Sequence, residues 1–373
     1  MTESRILTTH AGSLPRPPDL VELVLQHDRG ELSDASRLQQ RIADATTDVV
    51  QRQVQMGIDI PSDGEYSKPS YATYVRERLT GFNGPPRNPN SGSASNEFPD
   101  LVRRFSSPVQ FPTCDGPVAL RDPTLARQDI GNLQAALRQA GHSQAFMSAA
   151  SPGVIETFMP TTYYPSDRAY LEALGAAMAD EYRAIVDAGF VLQLDCPDLA
   201  MSRTMRFSDL TDAEFRSLAG MHVEVLNRAI EGLPRSRTRL HLCWGNYEGP
   251  HNHDIPLRDI LDVALEANVG ALSFEAANPR HEHEWIVFEG KILPGDLVLI
   301  PGVIDTCTNY IEHPELVAQR LRRFVEIVGP ERVIAGTDCG FGTSVGPRHV
   351  APSIAWSKLG SLVEGASLAS AAH

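Results

Sequence analysis

Eight short β-rich runs punctuate the chain, and most of them end in polar or glycine-rich residues. They occupy residues 6–9, 57–61, 145–148, 191–195, 239–243, 271–275, 297–301 and 332–335, and are followed by HAGS, SDGE, AASPG, CPD, WGN, AANP, GVID and GTDCG. Between most of them lie stretches with apolar residues at three- and four-residue spacing, at 170–188, 211–231, 257–267 and 315–328, which is the pattern of a helix with one buried face. Strands alternating with helices predict a parallel α/β sheet, and eight of them predict a closed (β/α)8 TIM barrel. A doubly wound open sheet is the structural alternative. No glycine-rich dinucleotide or phosphate loop follows a run, which weighs against it.

The length of 373 residues fits one barrel spanning 1–373 with an insertion at about 66–142, after the second strand. That stretch is too long for an ordinary strand-to-helix connection. It contains NGPPRNPNSGSASNEFPD, which predicts a mobile loop near 84–97, either a plain surface loop or part of a cover over the site. The terminal SLASAAH reads as frayed. Lys and Arg number 33 against 47 Asp and Glu, a formal charge of −14, which argues against partners such as nucleic acid or an anionic membrane. The N-terminus has no apolar signal core and no run approaches the roughly 18 apolar residues of a spanning helix, so the expectation is a soluble, cytoplasmic chain. A homo-oligomer is compatible with all of this.

The five cysteines, Cys114, Cys196, Cys243, Cys307 and Cys339, are too few and of the wrong parity for a disulfide framework. In a barrel, chemistry sits where strands end, and three such ends carry metal-binding residue types. His241 and Cys243 lie two apart in HLC, so a strand presents both to one side. Glu275 ends the next run, and Cys339 follows the last in TDCG. Imidazole, two thiolates and a carboxylate form a reasonable zinc set. Cys243 alone would read as a small buried hydrophobe; four ligand types at three strand ends are a stronger pattern.

These pieces resemble the catalytic C-terminal barrel of the cobalamin-independent methionine synthase family. THAGSLPRP is similar to its N-terminal Gly-Ser segment, DGEYSKPSY to its Gly-Glu segment and QLDCPDLA to its Asp-containing strand end. HLC, the Glu of SFEAANP and the Cys of TDCG match its zinc ligands in order. The resemblance implies a zinc-dependent transferase that alkylates a thiol, with Zn2+ on His241, Cys243, Glu275 and Cys339 and the acceptor thiol's substrate on Ser13, Glu65 and Asp195. Zinc converts a thiol with a pKa near 8.5 into a thiolate, and Glu275, as the oxygen ligand, is the one expected to yield to incoming sulfur.

The sequence also departs from the family pattern. The chain is too short for the second, N-terminal barrel of the full-length enzymes. Where the family carries a proton-donating His after the seventh strand, this chain has GVIDTCTNYIEHPE, with Cys307 or a neighbour in that place, and Asp-Glu-Pro is replaced by Asp195-Cys196-Pro197. These forms look closer to a single-barrel branch that includes epoxyalkane:coenzyme M transferases. The primary expectation is therefore a thiol S-alkyltransferase that joins a small thiol to a small alkyl donor, epoxide or methyl. The alternative is a compact homocysteine methyltransferase using a methyl-folate donor, and the non-enzyme alternative is a zinc- or thiol-binding protein. Coenzyme M carries a sulfonate and would want a cation, for which Arg16, Lys68 and Arg76 are the candidates.

His10, at the first strand end beside Ser13, is the further catalytic candidate; its plainer reading is a histidine that holds the loop. The pairs His251/His253 and His281/His283 lie in polar loops and read as solvated histidines; a second metal site on them is the less favoured alternative, and His281 or His283 is a lesser candidate for proton delivery. Cys196 and Cys307 read as small residues that make room for substrate, and Trp244, Tyr163 and Tyr164 as packing or pocket-wall aromatics.

Overall fold

A computed structural model of the chain describes residues 5–87, 97–98, 109–346 and 350–371. Its strands are β1 (Leu7–Thr8), β2 (Pro86–Arg87), β3 (Phe111–Pro112), β4 (Phe146–Ala150), β5 (Val191–Asp195), β6 (Thr238–Leu242), β7 (Ala271–Glu275), β8 (Val298–Gly302) and β9 (Ile334–Ala335). Strands β4 to β8 form one parallel sheet in chain order. β1 pairs in parallel with β9. Two backbone hydrogen bonds, Gly336 N to Pro301 O and Val303 N to Gly336 O, both 3.0 Å, carry β9 onto β8.

The circuit closes through residues 58–61. Ile60 N donates to Thr8 O and Phe146 N donates to Pro61 O, both at 3.0 Å, so this segment bridges β1 to β4. It is not a regular strand, unlike the other seven expected runs. Pro61 lacks a donor, and the Asp59 side chain, not a backbone carbonyl, accepts the Thr8 amide at 2.9 Å. The barrel is therefore eight staves, one of them held by isolated bonds.

The four expected helices appear as Asp167–Asp187, Asp212–Ala229, Leu257–Leu265 and Pro314–Val328. The second opens on a capping box, Thr211 with Glu214, which satisfies two otherwise unpaired amides. Helices Pro18–Asp28, Ala35–Met56, Thr124–Ala140 and Pro352–Ser370 complete the sheath. Thr124–Ala140 packs on Ala35–Met56 as an ordinary member of that sheath. The excursion from the barrel repeat is thus 66–123, not 66–142, and it carries the short helix Val75–Arg78 and the antiparallel pair β2–β3. Of the expected loop near 84–97, residues 88–96 lie outside the described residues. The expected frayed tail is helical to Ser370: Ala369 is buried, and Ser370 Oγ accepts the Ile6 amide at 3.0 Å. Among the described residues, no helix is long and apolar enough to cross a membrane.

Strand parity sorts the side chains. Leu192, Leu194, Leu240, Leu242, Leu272 and Phe274 alternate with Gln193, Asp195, Arg239, His241, Ser273 and Glu275, and all are buried. The apolar set faces the helices, as the packing of Phe274 on Phe288 and Phe324 shows. The polar set fills the interior. There the Arg239 guanidinium lies 3.6 Å over the Phe146 ring and donates to Gln193 Oε1, Thr9 Oγ1 and the His10 carbonyl. A polar, cross-bonded barrel interior positions side chains more sharply than an apolar one, because each bond is directional and each partner buried.

On the sheath, the fully buried Lys358 donates to both oxygens of Glu312, at 3.0 and 2.8 Å, and Glu312 Oε1 in turn accepts the Asp305 amide at the end of the β8 loop. Removing one partner of a buried pair strands the other. Lys358→Met should therefore lower unfolding stability by about 3–5 kcal/mol. Urea unfolding measures this, and a loss under about 1 kcal/mol would show that the pair is not what anchors this loop.

Candidate functional site

Interior parity brings His241 and Cys243 to the C-terminal end of β6, and the loop after β9 carries Cys339 to meet them. His241, Cys243 and Cys339 each offer a donor atom within 4.8 Å of the other two, and all three residues are buried. The two sulfurs are 3.0 Å apart, well beyond the roughly 2.05 Å of a disulfide, and both thiols are free. Glu275 Oε1 lies 3.7 Å from Cys339 Sγ. The structure thus brings together the four residues that the sequence suggested as metal ligands.

Each is oriented by its surroundings. Glu275 Oε1 accepts the Trp244 amide at 2.8 Å and Oε2 accepts Asn278 Nδ2 at 2.6 Å. The Gly245 amide donates to Cys243 Sγ at 3.2 Å. Burial, then Arg239, pushes the His241 imidazole down to about 3, so it is neutral and able to donate a lone pair. Its Nδ1 is buried without a hydrogen-bond partner. The Cys339 thiol pulls Cys243 down, but burial and the Glu275 carboxylate outweigh it and lift Cys243 to about 11. A neutral imidazole with an unpartnered nitrogen, two thiols and a carboxylate at van der Waals distance form a donor set that fits a zinc ion.

Sequence reading missed the residues that hold this set. Asp338 Oδ1 accepts the amides of Ala276 and Ala277 at 2.8 and 2.9 Å, and Oδ2 accepts that of Asn278 at 2.8 Å, which locks the loop carrying Glu275 against the loop carrying Cys339. Asp338 fits because residue 302 is glycine: a Cβ there would meet the Asp338 backbone nitrogen at 2.5 Å. Asn246 ties three strand ends, donating to Gly340 O at 2.7 Å and accepting from Thr306 Oγ1 and Cys307 Sγ at 2.9 and 3.0 Å. The available signals were the Asp directly before Cys339 and the Asn three residues after Glu275.

Beside this cluster are two buried acids, Glu65 and Asp195. The loop after β1 connects them to it: Ser13 O and Oγ accept the amides of Phe341 and Gly342 at 2.7 and 3.2 Å, and Thr337 Oγ1 accepts the Ala11 amide at 3.1 Å. Gly12, at φ +126°, leaves room for Glu65; a Cβ there would meet Glu65 Oε1 at 2.5 Å. Glu65 itself has a φ of 60°, a costly backbone for a side chain of this size. Its Oε1 accepts Ser148 Oγ at 2.5 Å, while its buried Oε2 has no partner. Asp195 accepts Gln193 Nε2 at 2.7 Å, and burial followed by the Glu65 charge raises it to about 8. Burial, then the nearby Cys243, Asp195 and Cys339, raise the Tyr71 hydroxyl well above its ordinary value.

The cations considered for a sulfonate are occupied. Arg16 donates to the carbonyls of Gly342, Glu65 and Lys68, Lys68 to Ser148, and Arg76 to Asp28. His10, expected as a catalytic candidate, is a scaffold residue instead: its Nε2 bonds Gln53 Oε1 at 2.8 Å, its Nδ1 accepts the Gly12 amide at 3.1 Å, and burial holds it near 4 and neutral. With both nitrogens spent, it has none for substrate. His253 and His283 are exposed as expected, but His251 and His281 are not solvated: they converge with Asp254. Tyr163 is exposed and Tyr164 stacks on Tyr170, so neither walls the site; Trp244 is buried beside it.

Residues 6–87 match the family model described as the cobalamin-independent synthase, catalytic domain. The chain is 26% identical over 363 residues to a methionine synthase of Saccharolobus solfataricus, covering 96% of this chain and 93% of that one. It is 27% identical over 361 residues to a methionine synthase of Saccharolobus islandicus, with the same coverage. In structure it is similar to a B12-independent methionine synthase from Shewanella sp. W3-18-1 in complex with selenomethionine, with a TM-score of 0.75, 22% identity, and 98% and 97% of the two chains covered. The family model and the relatives carry the same likeness, and the solved structure, at 22% identity, shows the fold.

A raised carboxylate makes a checkable statement about stability. Asp195 titrates near 8 in the folded chain against an ordinary 3.8, so the folded state holds an extra proton between these values. Stability from this group is complete below the ordinary value and falls as pH rises toward 8. Asp195→Asn removes the dependence, so its stability relative to the parent should climb from about pH 4 to about pH 8 and then level. Urea midpoints at several pH values test this; a difference that is flat with pH would refute it.

Proposed function

We propose that this chain is a zinc-dependent methyltransferase that methylates the thiol of homocysteine, with zinc held by His241, Cys243, Glu275 and Cys339. The observation that carries the reading is the Glu65–Asp195 pair beside the sulfur cluster. Two buried carboxyl groups, one with an oxygen that lacks any partner and one, Asp195, that an ammonium would bring to its charged form, favour an ammonium group over a sulfonate or a neutral tail. A guest that joins an ammonium to a short thiol is an amino-acid thiol. The relatives named methionine synthase, matched over 93% of their own length, support the same choice. The primary sequence expectation, epoxide opening by coenzyme M, loses support because Arg16, Lys68 and Arg76 are engaged elsewhere and a sulfonate would face two carboxylates.

When bound, Zn2+ supplies the Lewis acidity that keeps a substrate thiol as thiolate near neutral pH. The residues of the chain do the rest. Glu65 and Asp195 bind the ammonium; Lys68 and Gln193 orient them, through Ser148 for Glu65. Ser13 and Gly12 fix the distance between that pair and Cys339. Neutral His241 contributes a lone pair, and the Trp244 amide and Asn278 steer Glu275. The polar floor of Arg239 and Gln193 closes the barrel beneath.

Zinc-loaded chain should convert homocysteine and a methyl-folate into methionine, and should leave coenzyme M with an epoxide unreacted; the reverse outcome restores the epoxide reading. Bound metal with no alkylated thiol from any donor would support the binding-protein alternative. Glu65→Gln removes one charge-assisted contact worth about 1.5–3 kcal/mol, so KM for homocysteine should rise roughly 10- to 100-fold with zinc content unchanged. Cys339→Ser should lose both stoichiometric zinc and activity while remaining folded. Full activity with metal retained would refute the ligand assignment.

A further inference from the structure

We propose that His251, Asp254 and His281 form a second divalent-metal site, of nitrogen and oxygen donors, at the rim of the barrel beside the sulfur cluster. The loop after β6 supplies the first two residues and the loop after β7 the third. Each offers a donor atom within 4.8 Å of the others. His251 Nδ1 is 2.7 Å and His281 Nε2 is 3.1 Å from the same atom, Asp254 Oδ2. His281 is buried, while Asp254 and His251 are half-buried, with side chains 4% and 12% exposed.

The far side of each ring decides the argument. His251 Nε2 faces the Tyr247 carbonyl at 3.2 Å, and a carbonyl only accepts, so this nitrogen carries the proton. His281 Nδ1 faces the Glu284 carboxylate at 2.7 Å and carries its proton for the same reason. In neutral imidazoles the remaining nitrogens, His251 Nδ1 and His281 Nε2, would then direct lone pairs at one carboxylate oxygen. That arrangement repels unless positive charge lies between them. Either both rings hold a second proton, or one dication sits among the three donors. The two states carry the same total charge, since one dication replaces two protons.

The rest of the geometry favours the dication. A metal-bound histidine characteristically hands its other N–H to a carboxylate or a backbone carbonyl, and here one does each. Two imidazolium rings would instead lie with centroids 6.4 Å apart, His281 stacked 4.2 Å from Trp244 and His251 4.3 Å from Tyr247, with the Asp254 and Glu284 carboxylates as their counter-charges. Two imidazoles and a carboxylate suit zinc, cobalt, iron or manganese and leave positions open for water or an anionic group. Trp244 follows Cys243 directly, so a metal here would fix the loop that carries a ligand of the first site. His251, at φ 52°, holds a strained backbone that such a bond would offset.

Cobalt distinguishes this site from the sulfur cluster, because only thiolate ligands give sulfur-to-cobalt charge-transfer absorption. Metal-free chain would be titrated with Co2+ and, in parallel, with Zn2+ followed by metal analysis. The expected result is two ions per chain, one with charge-transfer absorption and one with ligand-field bands alone. Asp254→Asn and His281→Gln should each reduce this to one ion and keep the charge-transfer band, which also reports that the barrel has folded. Cys243→Ser with Cys339→Ser should keep the ion without that band. One ion per chain that survives Asp254→Asn overturns the proposal and leaves a doubly protonated histidine pair. One ion that lacks charge-transfer absorption and is lost in Asp254→Asn supports this site and refutes the sulfur-cluster assignment instead.

Discussion

Asp338 is the constraint on which the rest of the site depends. Its carboxylate accepts three successive amides at the end of β7, and it stands next to Cys339 in the chain. One side chain thereby sets the separation of Glu275 and Cys339, which belong to strands that are not neighbours. The amides pull the Asp338 carboxyl down, but burial and the charges of Glu275 and Asp305 outweigh them and raise it well above the ordinary carboxylate range. Gly302 lies so close to Asp338 that a Cβ there would meet the Asp338 backbone at 2.5 Å, so a side chain at residue 302 would push this loop away.

The same logic extends across the interior. Parity places polar side chains inside, and acids gather at the C-terminal ends: Glu65, Asp195, Glu275 and Asp338, with Lys68 and Arg239 as the facing cations. An interior with this surplus of buried acid is stable only because directional bonds hold each group, and it selects positively charged guests. Zinc and an ammonium are two such guests on our reading. The left-handed backbone of Glu65 belongs to this picture: strain kept at one residue is sustained by the Asp63, Arg16 and Ser148 bonds around it.

Some errors of sequence reading have specific causes. The histidines of HNHD and HEHEW look like solvated loop residues because local polarity says nothing of what a loop from another strand brings opposite. His251 and His281 are 30 positions apart and meet because their loops leave the neighbouring strands β6 and β7 on the same side. His10 lies at the right strand end but turns its nitrogens to Gln53 and Gly12. The run at 57–61 lost its regular ladder to Pro61 and Asp59, and the tail from 367 became helix because Ala369 buries and Ser370 bonds β1's neighbour, Ile6.

The sequence by itself determined the order of strands and helices, because hydrophobic period is a local property, and it marked His241, Cys243, Glu275 and Cys339, because strand ends with ligand-type residues can be read from spacing. Only the tertiary structure decided which of these meet, which cations are already spent, and that Glu65 and Asp195 are buried close enough to act on each other's charge. Those facts depend on closure of the ring through 58–61 and on contacts between residues hundreds of positions apart, and no local pattern encodes a distance across a barrel.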